Sequence, residues 1–420
     1  MAPPSIFSSS LRFISSISTF KSQNFRRMMS TTTTAAHGLI NNPSPCLMLP
    51  PTFEGDNIVY NFYNLAQNKV LNFNNDKLIP EQDTRFVGSS HGWLALFNER
   101  NCDVILTNPI TRRHVKLPPR KSNEPQYYTD RESGVSKVII SCDAEHEECQ
   151  AMLIGDDSRL AYCRPGRSPT EWTPLGGHTR PPYHQLSRKY EDLVYSSRHN
   201  LFFCVTETTN GDDFEAWDVA SDPPRRRWEN LDLLTYDNNY DNYDNWLMRA
   251  GHLLEDKTGW FCEQFRGLVY GEQTDQLFFV TRHIVRRMAP DGSSSEDLDS
   301  SYPYKTVSFD VHKVDWELDG EGGRLSHLVD GGSLDGLAMF VGLNHSFALS
   351  ANGLKPNSIY FTDDKGMTPP KWLDRKYGGH DIGIFDYENK TISPCYYPCD
   401  VQSFERIMPE PIWFTPSSLN

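Results

Sequence analysis

The sequence predicts an all-β protein, a single β-propeller of about six or seven blades behind an unstructured N-terminal targeting segment. After Pro50, short runs rich in Val, Ile, Phe, Tyr and Trp alternate with clusters of Gly, Pro, Asn and Asp, a texture typical of strands and turns. Helical periodicity over ten or more residues is hard to find; the best case is the polar stretch at 231–254. Similar hairpins also recur along the chain.

The recurring hairpins are of two kinds. Residues 192–207 and 267–282 each contain a Leu-Val-Tyr run, a polar turn and a Leu-Phe-Phe run, which predicts a strand, a turn and a second strand. Five further segments, beginning at Val104, Leu160, Phe214, Val307 and Ile382, enter a turn and return through polar residues to an apolar one. In the first three of these segments, Asn108, Cys163 and Asp218 hold equivalent places, about 55 residues apart.

The spacing favours a propeller, because propeller blades repeat at roughly 40 to 50 residues and about 370 residues would supply six or seven blades with loop insertions. Radial stacking would cover each sheet with its neighbours and leave only short edges. A two-domain β-sandwich is the alternative architecture.

The charge of the chain limits its partners. Asp and Glu number 55 against 41 Lys and Arg, a net charge of −14, which is the wrong sign for a protein that binds phosphate backbones. We therefore expect no nucleic-acid partner. No apolar run approaches the roughly 18 residues that span a bilayer, so we expect a soluble monomer without a membrane span.

The N-terminal segment differs from the rest. Residues 1–36 contain no Asp or Glu, four basic residues and fourteen Ser or Thr, a composition typical of an organellar transit peptide. The pair Arg26-Arg27 favours a mitochondrion, and the Ser and Thr content also suits a chloroplast; a disordered tail is the alternative. We expect a transit peptide over 1–36, a linker over 37–43, the propeller over 44–415 and a tail over 416–420. The chain after residue 36 carries a net charge of −18.

The nine cysteines are odd in number and irregularly spaced, which does not predict a disulfide framework. Most lie in apolar runs and should be core residues, for example Cys204 and Cys262. Two groups are more distinctive. They are Cys142 with His146 and Cys149, and Cys395 with Cys399. Neither has a complementary ligand pair elsewhere, so we predict no metal site.

No local enzyme motif is present, whether a nucleophile elbow, a phosphate-binding loop or a zinc-protease helix. His91-Gly92-Trp93 is interpreted as strand packing, with the His side chain satisfied by a hydrogen bond, Asp363-Asp364 as a strand running into a turn, and Arg225-Arg226-Arg227 as a solvated loop. We predict no catalytic, cofactor-binding or metal-binding residues, and no cofactor. The segment 236–246, rich in Tyr, Asn and Asp, is interpreted as a contact region for a protein partner or as a disordered insertion.

Six pieces of the chain resemble, in their order, the plant KIB-type β-propeller family, whose propellers often follow an F-box. They are SPCLMLPP (44–51), VGSSHGWLALFN (87–98), LTNPITRRHVKLPP (106–119), SIYFTDD (358–364), HDIGIFDYENKTISPCY (380–396) and PIWFTPS (411–417). An acid-free leader, rather than a helical F-box, precedes the first piece, so we expect an organelle-targeted member that lacks an F-box.

The resemblance implies a propeller used as a binding surface. We therefore expect a non-catalytic protein-interaction propeller with a partner of basic character. The alternative is a propeller hydrolase or lyase acting on a small or carbohydrate-like substrate in the central channel. An enzyme would need an open axial pocket with converging carboxylates or histidines, whereas a scaffold would have a plugged channel.

Overall fold

The computed structural model describes twelve stretches of the chain, which together contain 25 β-strands and one single-turn 3-10 helix at Pro165–Arg167. The stretches are 44–54, 57–75, 84–120, 134–176, 189–208, 211–230, 262–285, 304–315, 324–328, 333–363, 381–395 and 410–416. Within them there is no α-helix. The all-β prediction is confirmed.

The first sheet joins the two ends of the described chain. Its strands are β1 (Cys46–Glu54), β2 (Asn57–Asn64), β3 (Lys69–Asn75) and β25 (Ile412–Phe414), in the order β25-β1-β2-β3. Strand β25 runs antiparallel to β1 and pairs Phe414 with Cys46 and Ile412 with Met48. Residues near the C-terminus therefore pack beside residues near the start of the described chain.

The next three sheets are four-stranded antiparallel meanders, each made from consecutive strands. The second contains β4 (Thr84–Ser90), β5 (Trp93–Asn98), β6 (Val104–Asn108) and β7 (Arg113–Leu117). The third contains β8 (Val135–Ile140), β9 (Ala151–Gly155), β10 (Leu160–Cys163) and β11 (Thr173–Leu175). The fourth contains β12 (Lys189–Ser196), β13 (Leu201–Thr208), β14 (Gly211–Asp218) and β15 (Arg225–Asn230).

The last nine strands form one sheet with two parts. The first part is a meander of β16 (Cys262–Gly271), β17 (Gln276–Val285), β18 (Lys305–Asp315) and β19 (Arg324–Leu328). The second contains β20 (Leu337–Val341), β21 (Phe347–Ser350), β22 (Ser358–Phe361), β23 (Gly383–Asp386) and β24 (Thr391–Ser393), in the order β21-β20-β22-β23-β24. A single parallel pair, Tyr270 with Phe347, joins the parts. The described strands therefore form six groups of four or five.

The hairpins that the sequence predicts are present. Strands β12–β13 and β16–β17 form the two similar hairpins. In each, a tyrosine hydroxyl donates to an Asx side chain five residues later: Tyr195 to Asn200 Oδ1 and Tyr270 to Asp275 Oδ1, both over 2.6 Å. Asn200 and Asp275 have φ of 54° and 56°, the left-handed conformation that Asn and Asp tolerate in turns.

The five segments predicted to turn back on themselves correspond to the strand pairs β6–β7, β10–β11, β14–β15, β18–β19 and β23–β24. The equivalent residues Asn108, Cys163 and Asp218 each end the third strand of a sheet. The sequence repeat therefore marks the same position in three successive sheets.

The apolar core lies between neighbouring groups of strands and runs through the whole series. Buried clusters join the first group to the second, and so on to the sixth. A last cluster packs Phe340 and Tyr360 of the sixth group against Leu47 and Trp413 of the first. Each sheet is thus covered on both faces by its neighbours, which closes the ring of a β-propeller rather than a sandwich.

Candidate functional site

The axis of the ring is lined by the first strands of successive groups, β4, β8, β12 and β16, which contact one another in that order. Gly88 permits the closest approach, because a methyl group in its place would lie 1.8 Å from the carbonyl oxygen of Val138 on β8. The inner strands are therefore packed tightly enough for a short loop to bridge them.

Such a loop occupies the axis. Residues 342–346, which connect β20 to β21 and are called the axial loop below, hydrogen-bond to all four inner strands. His345 N donates to Ser89 O over 2.8 Å, and Tyr270 N donates to Ser346 O over 3.3 Å. Lys137 Nζ lies 3.5 Å from Gly342 O, and Tyr195 N donates to His345 Nε2 over 2.9 Å.

A buried ion pair lies beside the axial loop. Lys137 on β8 and Asp192 on β12 are 2% and 7% exposed, and Lys137 Nζ donates to Asp192 Oδ1. The backbone N–H groups of Leu193 and Leu268 also donate to the Asp192 carboxylate, each over 2.8 Å. The carboxylate is thus satisfied by internal donors, as a buried charge must be.

A small cavity lies beside the axial loop. A cavity of about 20 Å³ is bounded by Asp192, Phe265, Arg282, Val341 and Gly342, among others. One water needs roughly 10 to 15 Å³ of such space. The cavity therefore has room for a single water and none for a sugar or a similar substrate.

A second buried polar cluster joins β17 and β18 to the segment before β23. Arg282 Nε donates to Thr306 Oγ1 over 2.8 Å, and Arg282 Nη2 lies 3.1 Å from Asp381 Oδ2. The guanidinium also lies over the ring of Phe361, 4.8 Å from its centroid. Burial raises the pKa of Asp381, and the adjacent Arg282 opposes that rise.

Asp363 belongs to this cluster and is 1% exposed. It lies two residues after Phe361, the last residue of β22, and the turn predicted to follow lies outside the described residues. However, its partners are distant in sequence: Tyr304 OH donates to Asp363 Oδ1 over 2.7 Å and Asp381 N over 3.0 Å. The carboxylate therefore ties the end of β22 to Tyr304 and to Asp381. Asp364 lies outside the described residues.

His91 and Trp93 have different roles. Trp93 is 1% exposed and packs in the core between the second and third sheets, which confirms the packing interpretation. His91 and Gly92, with φ of 50° and 79°, form the two-residue turn between β4 and β5. The expectation that a hydrogen bond satisfies the His91 side chain is wrong in part, because its buried Nε2 has no partner among the described residues.

Two histidines meet where the inner strands end. The rings of His91 and His345 are stacked with centroids 6.2 Å apart. Burial lowers the pKa of His91 to about 4, although Asp143 opposes that change. Burial, with the positive charges of His91 and Lys137 nearby, lowers the pKa of His345 to about 3. Both rings are therefore neutral at pH 7; the two rings pack against each other, and His345 also hydrogen-bonds to the Tyr195 backbone.

The basic cluster Arg225-Arg226-Arg227 lies on a strand and not in a loop, which corrects that prediction. All three residues belong to the exposed strand β15. Arg226 Nη1 lies 3.1 Å from the buried Glu215 Oε1, and Arg227 Nε lies 3.4 Å from Asp218 Oδ2. These arginines neutralise carboxylates of the neighbouring strand β14, which explains a basic run in an acidic chain.

The locations of the cysteines can be compared with the prediction that most are core residues. Cys204 is fully buried, as predicted for a core residue. The side chain of Cys262 and all of Cys399 lie outside what the structure describes. Seven cysteines in the described stretches are free thiols. No cluster of three His, Cys, Asp or Glu side chains suited to a metal occurs within those stretches. The absence of a metal site stays a prediction.

Sequence reasoning missed the axial loop, the Lys137–Asp192 pair and the Arg282–Asp381 pair. The sequence holds a weak signal for the axial loop. The run Gly342-Leu-Asn-His-Ser346 between two apolar strands is longer than a two-residue hairpin turn. Nothing local in the sequence marks Lys137 as buried. Within the described chain, no helix has the length and apolar character needed to cross a membrane.

Comparison with known proteins agrees with the architecture. The model of the KIB1-4 beta-propeller family matches residues 62–386. No curated protein matches the sequence.

Solved propellers resemble the chain only distantly. They include the Nup133 β-propeller domain of Vanderwaltozyma polyspora, with 11% identity, a TM-score of 0.35 and coverage of 67% of this chain and 65% of that one. The Cps50 (Swd1) β-propeller domain of Myceliophteria thermophila has 10% identity, a TM-score of 0.33 and coverage of 83% and 85%. The chain thus spans slightly less than two thirds of the Nup133 domain. The family match covers most of the sequence, and the chain belongs to the KIB1-4 β-propeller family.

Proposed function

We propose that this protein is a non-catalytic propeller that binds a protein partner through one face of the ring. The closed axis is the observation that carries this proposal. The axial loop bonds to four inner strands, and the cavity of about 20 Å³ beside it is too small for a substrate. A plugged channel is what we expect of a scaffold.

The alternative, a hydrolase or lyase with its site in the channel, has less support. The carboxylates at the axis and beside it, Asp192 and Asp381, accept hydrogen bonds from backbone and side-chain donors within the protein. His345 accepts a hydrogen bond from Tyr195 N. These three side chains already accept hydrogen bonds from within the protein. A substrate would have to break those internal hydrogen bonds to contact them.

The partner we propose has a basic surface. The turn between β8 and β9, called the acidic turn below, exposes four carboxylates; they belong to Asp143, Glu145, Glu147 and Glu148. Two of them form exposed ion pairs, Glu145 with Arg113 and Glu148 with Arg167. Exposed pairs of this kind contribute about 1 kcal/mol or less, so they do not withhold the carboxylates from a partner. The chain's net charge of −14 would attract a basic surface, and the four exposed carboxylates of the acidic turn are where we propose that it docks.

The aromatic segment 236–246 lies outside the described residues, and its role as a contact region stays a prediction. Its removal should weaken capture of the partner without unfolding the ring. Capture that is unchanged by this deletion would reject the segment as a contact while leaving the acidic turn as the proposed site.

Quantitative affinity capture from isolated organelles tests the proposal. We would compare the wild type with D143N/E145Q/E147Q/E148Q and with a charge-matched control, E171Q/D222N/D315N/E388Q, whose side chains are also exposed. Neutralising the acidic turn should reduce recovery of a basic partner about tenfold at low salt, and the control should not, because charge effects on association are local and are screened by salt.

Two results would contradict the proposal. One is equal recovery with the acidic-turn variant and the wild type at every salt concentration. The other is turnover of a small molecule by the purified protein that substitution of Asp192 or Asp381 abolishes while the variant stays folded.

We also propose that residues 1–36 direct import into a mitochondrion and are removed there. These residues lie outside the described structure, and their composition is the support. Mass spectrometry of the N-terminus of the endogenous protein should find a start near residue 37. An intact Met1 on a cytosolic protein would contradict this proposal, and a processed form in a plastid would correct only the organelle.

A further inference from the structure

Two cysteines face each other at the end of the β8–β9 hairpin. The strand register pairs Ile140 with Ala151, and Ser141 N donates to Gln150 O over 2.9 Å. The strands end at Ile140 and Ala151; extending the Ser141–Gln150 pairing by one residue places Cys142 opposite Cys149, as at a non-hydrogen-bonded position of a ladder. Cα atoms at such positions are about 4.5 Å apart, within the range of roughly 4.4 to 6.8 Å that a disulfide spans.

Side-chain contacts support this pairing. Cys149 Sγ lies 3.6 Å from the carbonyl oxygen of Cys142, and Ser141 Oγ lies 3.9 Å from Cys142 Sγ. Both side chains pack against the same apolar cluster between the second and third sheets. Cys149 is fully buried, whereas Cys142 is partly exposed at the surface of the ring. One thiol can therefore meet a reagent from solvent, and the other can reach only its neighbour.

The two thiols also differ in acidity. A hydrogen bond from Cys149 lowers the pKa of Cys142 to about 7, Ser141 and His146 act in the same direction, and burial opposes them. The bond to Cys142 and burial raise the pKa of Cys149. Elsewhere in the described chain, burial raises the pKa of Cys46 and of Cys395 to about 12. Because the thiolate is the reactive form, Cys142 is distinguished from these thiols.

We propose that Cys142 and Cys149 are an oxidisable dithiol in which Cys142 reacts with hydrogen peroxide and Cys149 then closes an intramolecular disulfide. In the first step the Cys142 thiolate attacks one peroxide oxygen; an S–O bond forms, the O–O bond breaks, and the hydroxide that leaves takes up the proton released by the Cys142 thiol, which gives a sulfenic acid and the first water. In the second step the Cys149 sulfur attacks the Cys142 sulfur; an S–S bond forms, the S–O bond breaks and the leaving hydroxide takes the Cys149 proton to form water. Two thiols are oxidised, and one peroxide is reduced to two waters.

Peptide mapping after timed exposure to hydrogen peroxide tests the proposal on the full-length protein. The reduced protein is treated with peroxide, free thiols are alkylated, and the digest is analysed without reductant. We expect a peptide linked between Cys142 and Cys149 to form about tenfold faster than any oxidation of Cys102. Cys102 is the matched control, since it is also a partly buried free thiol at a hairpin end, between β5 and β6.

Two variants separate the steps. In C149S the oxidised Cys142 should persist as a sulfenic acid that dimedone traps, and in C142S Cys149 should remain a thiol. Dimedone-trapped Cys142 in the wild type, with no linked peptide, would overturn the resolving role of Cys149. Oxidation of Cys102 as fast as Cys142 would overturn the whole proposal. The wild-type mapping decides both points even where a variant fails to fold.

Discussion

Two segments that are distant in sequence from their partners complete the ring, and they do so by different means. Strand β25 enters the first sheet with Ile412, Trp413 and Phe414, all fully buried, and the ring of Trp413 packs edge-on against Phe340 at 5.2 Å between centroids. The axial loop instead enters the axis with backbone groups and His345, beside the Lys137–Asp192 ion pair. Strand β25 closes the first sheet by apolar burial, and the axial loop closes the centre of the ring by buried hydrogen bonds.

This difference determines how each closure should fail. Loss of apolar burial scales with the area exposed and leaves a sheet edge that can pair with another chain. Loss of one partner in a buried polar network leaves a charge or a donor unsatisfied inside an otherwise intact fold. The first failure should produce aggregation, and the second should produce a less stable monomer.

Deletion of residues 411–420 should have the largest effect. It removes three fully buried side chains and exposes the edge of β1, whose Leu47 and Met48 are also fully buried. We expect the truncated protein to be recovered mainly as aggregates in size-exclusion chromatography. W413A alone should lower the free energy of unfolding by about 3 to 5 kcal/mol while the variant remains monomeric. A soluble truncated protein that unfolds cooperatively would refute closure by β25.

Breaking the axial ion pair should have the next largest effect. K137M removes the positive charge beside the buried Asp192 carboxylate, which keeps the backbone donors of Leu193 and Leu268, and the free energy of unfolding should fall by about 3 to 5 kcal/mol. K137M/D192N removes both charges and keeps an acceptor for Leu268 N, so it should be more stable than K137M. Denaturant unfolding of K137M, D192N and K137M/D192N measures the coupling energy between the two side chains. Strictly additive losses would show that the pair does not act as a unit.

The two closures also differ in how far the sequence predicted them. The run Pro411-Ile-Trp-Phe414 is apolar, belongs to a family-like piece and lies near the C-terminus, so its pairing with the first strand could be predicted. The repeated Leu-Val-Tyr hairpins were likewise predictable, because each contains its own turn signal.

The axial loop and its ion pair were not predictable, because their partners lie on different sheets. Lys137 and Asp192 are 55 residues apart, and Lys137 and Gly342 are 205 apart. Burial at the axis arises from ring geometry and leaves no periodic pattern in the sequence. The same reason explains the error over Arg225–Arg227, since a run of exposed arginines on an outer strand looks like a loop until Glu215 and Asp218 are placed beside it.

Acidification should destabilise the closure made by the axial loop more than the closure made by strand β25. The folded pKa of His345 is about 3 and that of His91 about 4, below the usual value near 6.5, so the unfolded state binds more protons between those limits. Stability should therefore be complete above about pH 6.5 and fall as the pH drops, by about 1.4 kcal/mol per pH unit for each histidine.

H345Q removes one of these titrations and should flatten the dependence of unfolding free energy on pH between 6 and 4. H114Q, which changes an exposed histidine on β7, is the control and should leave the slope unchanged. An identical slope for H345Q and the wild type would show that protonation of His345 does not govern acid stability.

The smallest effects should come from the hairpins, which belong to neither closure. Y195F and Y270F each remove one hydroxyl that donates over 2.6 Å to an Asx side chain in its own turn. Each should cost about 1 kcal/mol in thermal or denaturant unfolding, the usual net contribution of one hydrogen bond. Y270F should lower the free energy of unfolding by less than Y195F. Asp275 also accepts a hydrogen bond from His199 over 2.7 Å and pairs with Arg198 at 3.3 Å, and it keeps both partners when the Tyr270 hydroxyl is lost. Both substitutions should be additive with W413A, since the two tyrosines lie in the fourth and fifth groups of strands and β25 lies in the first. A loss above about 3 kcal/mol, or strong coupling to W413A, would show that these turns help to close the ring instead of merely shaping one blade.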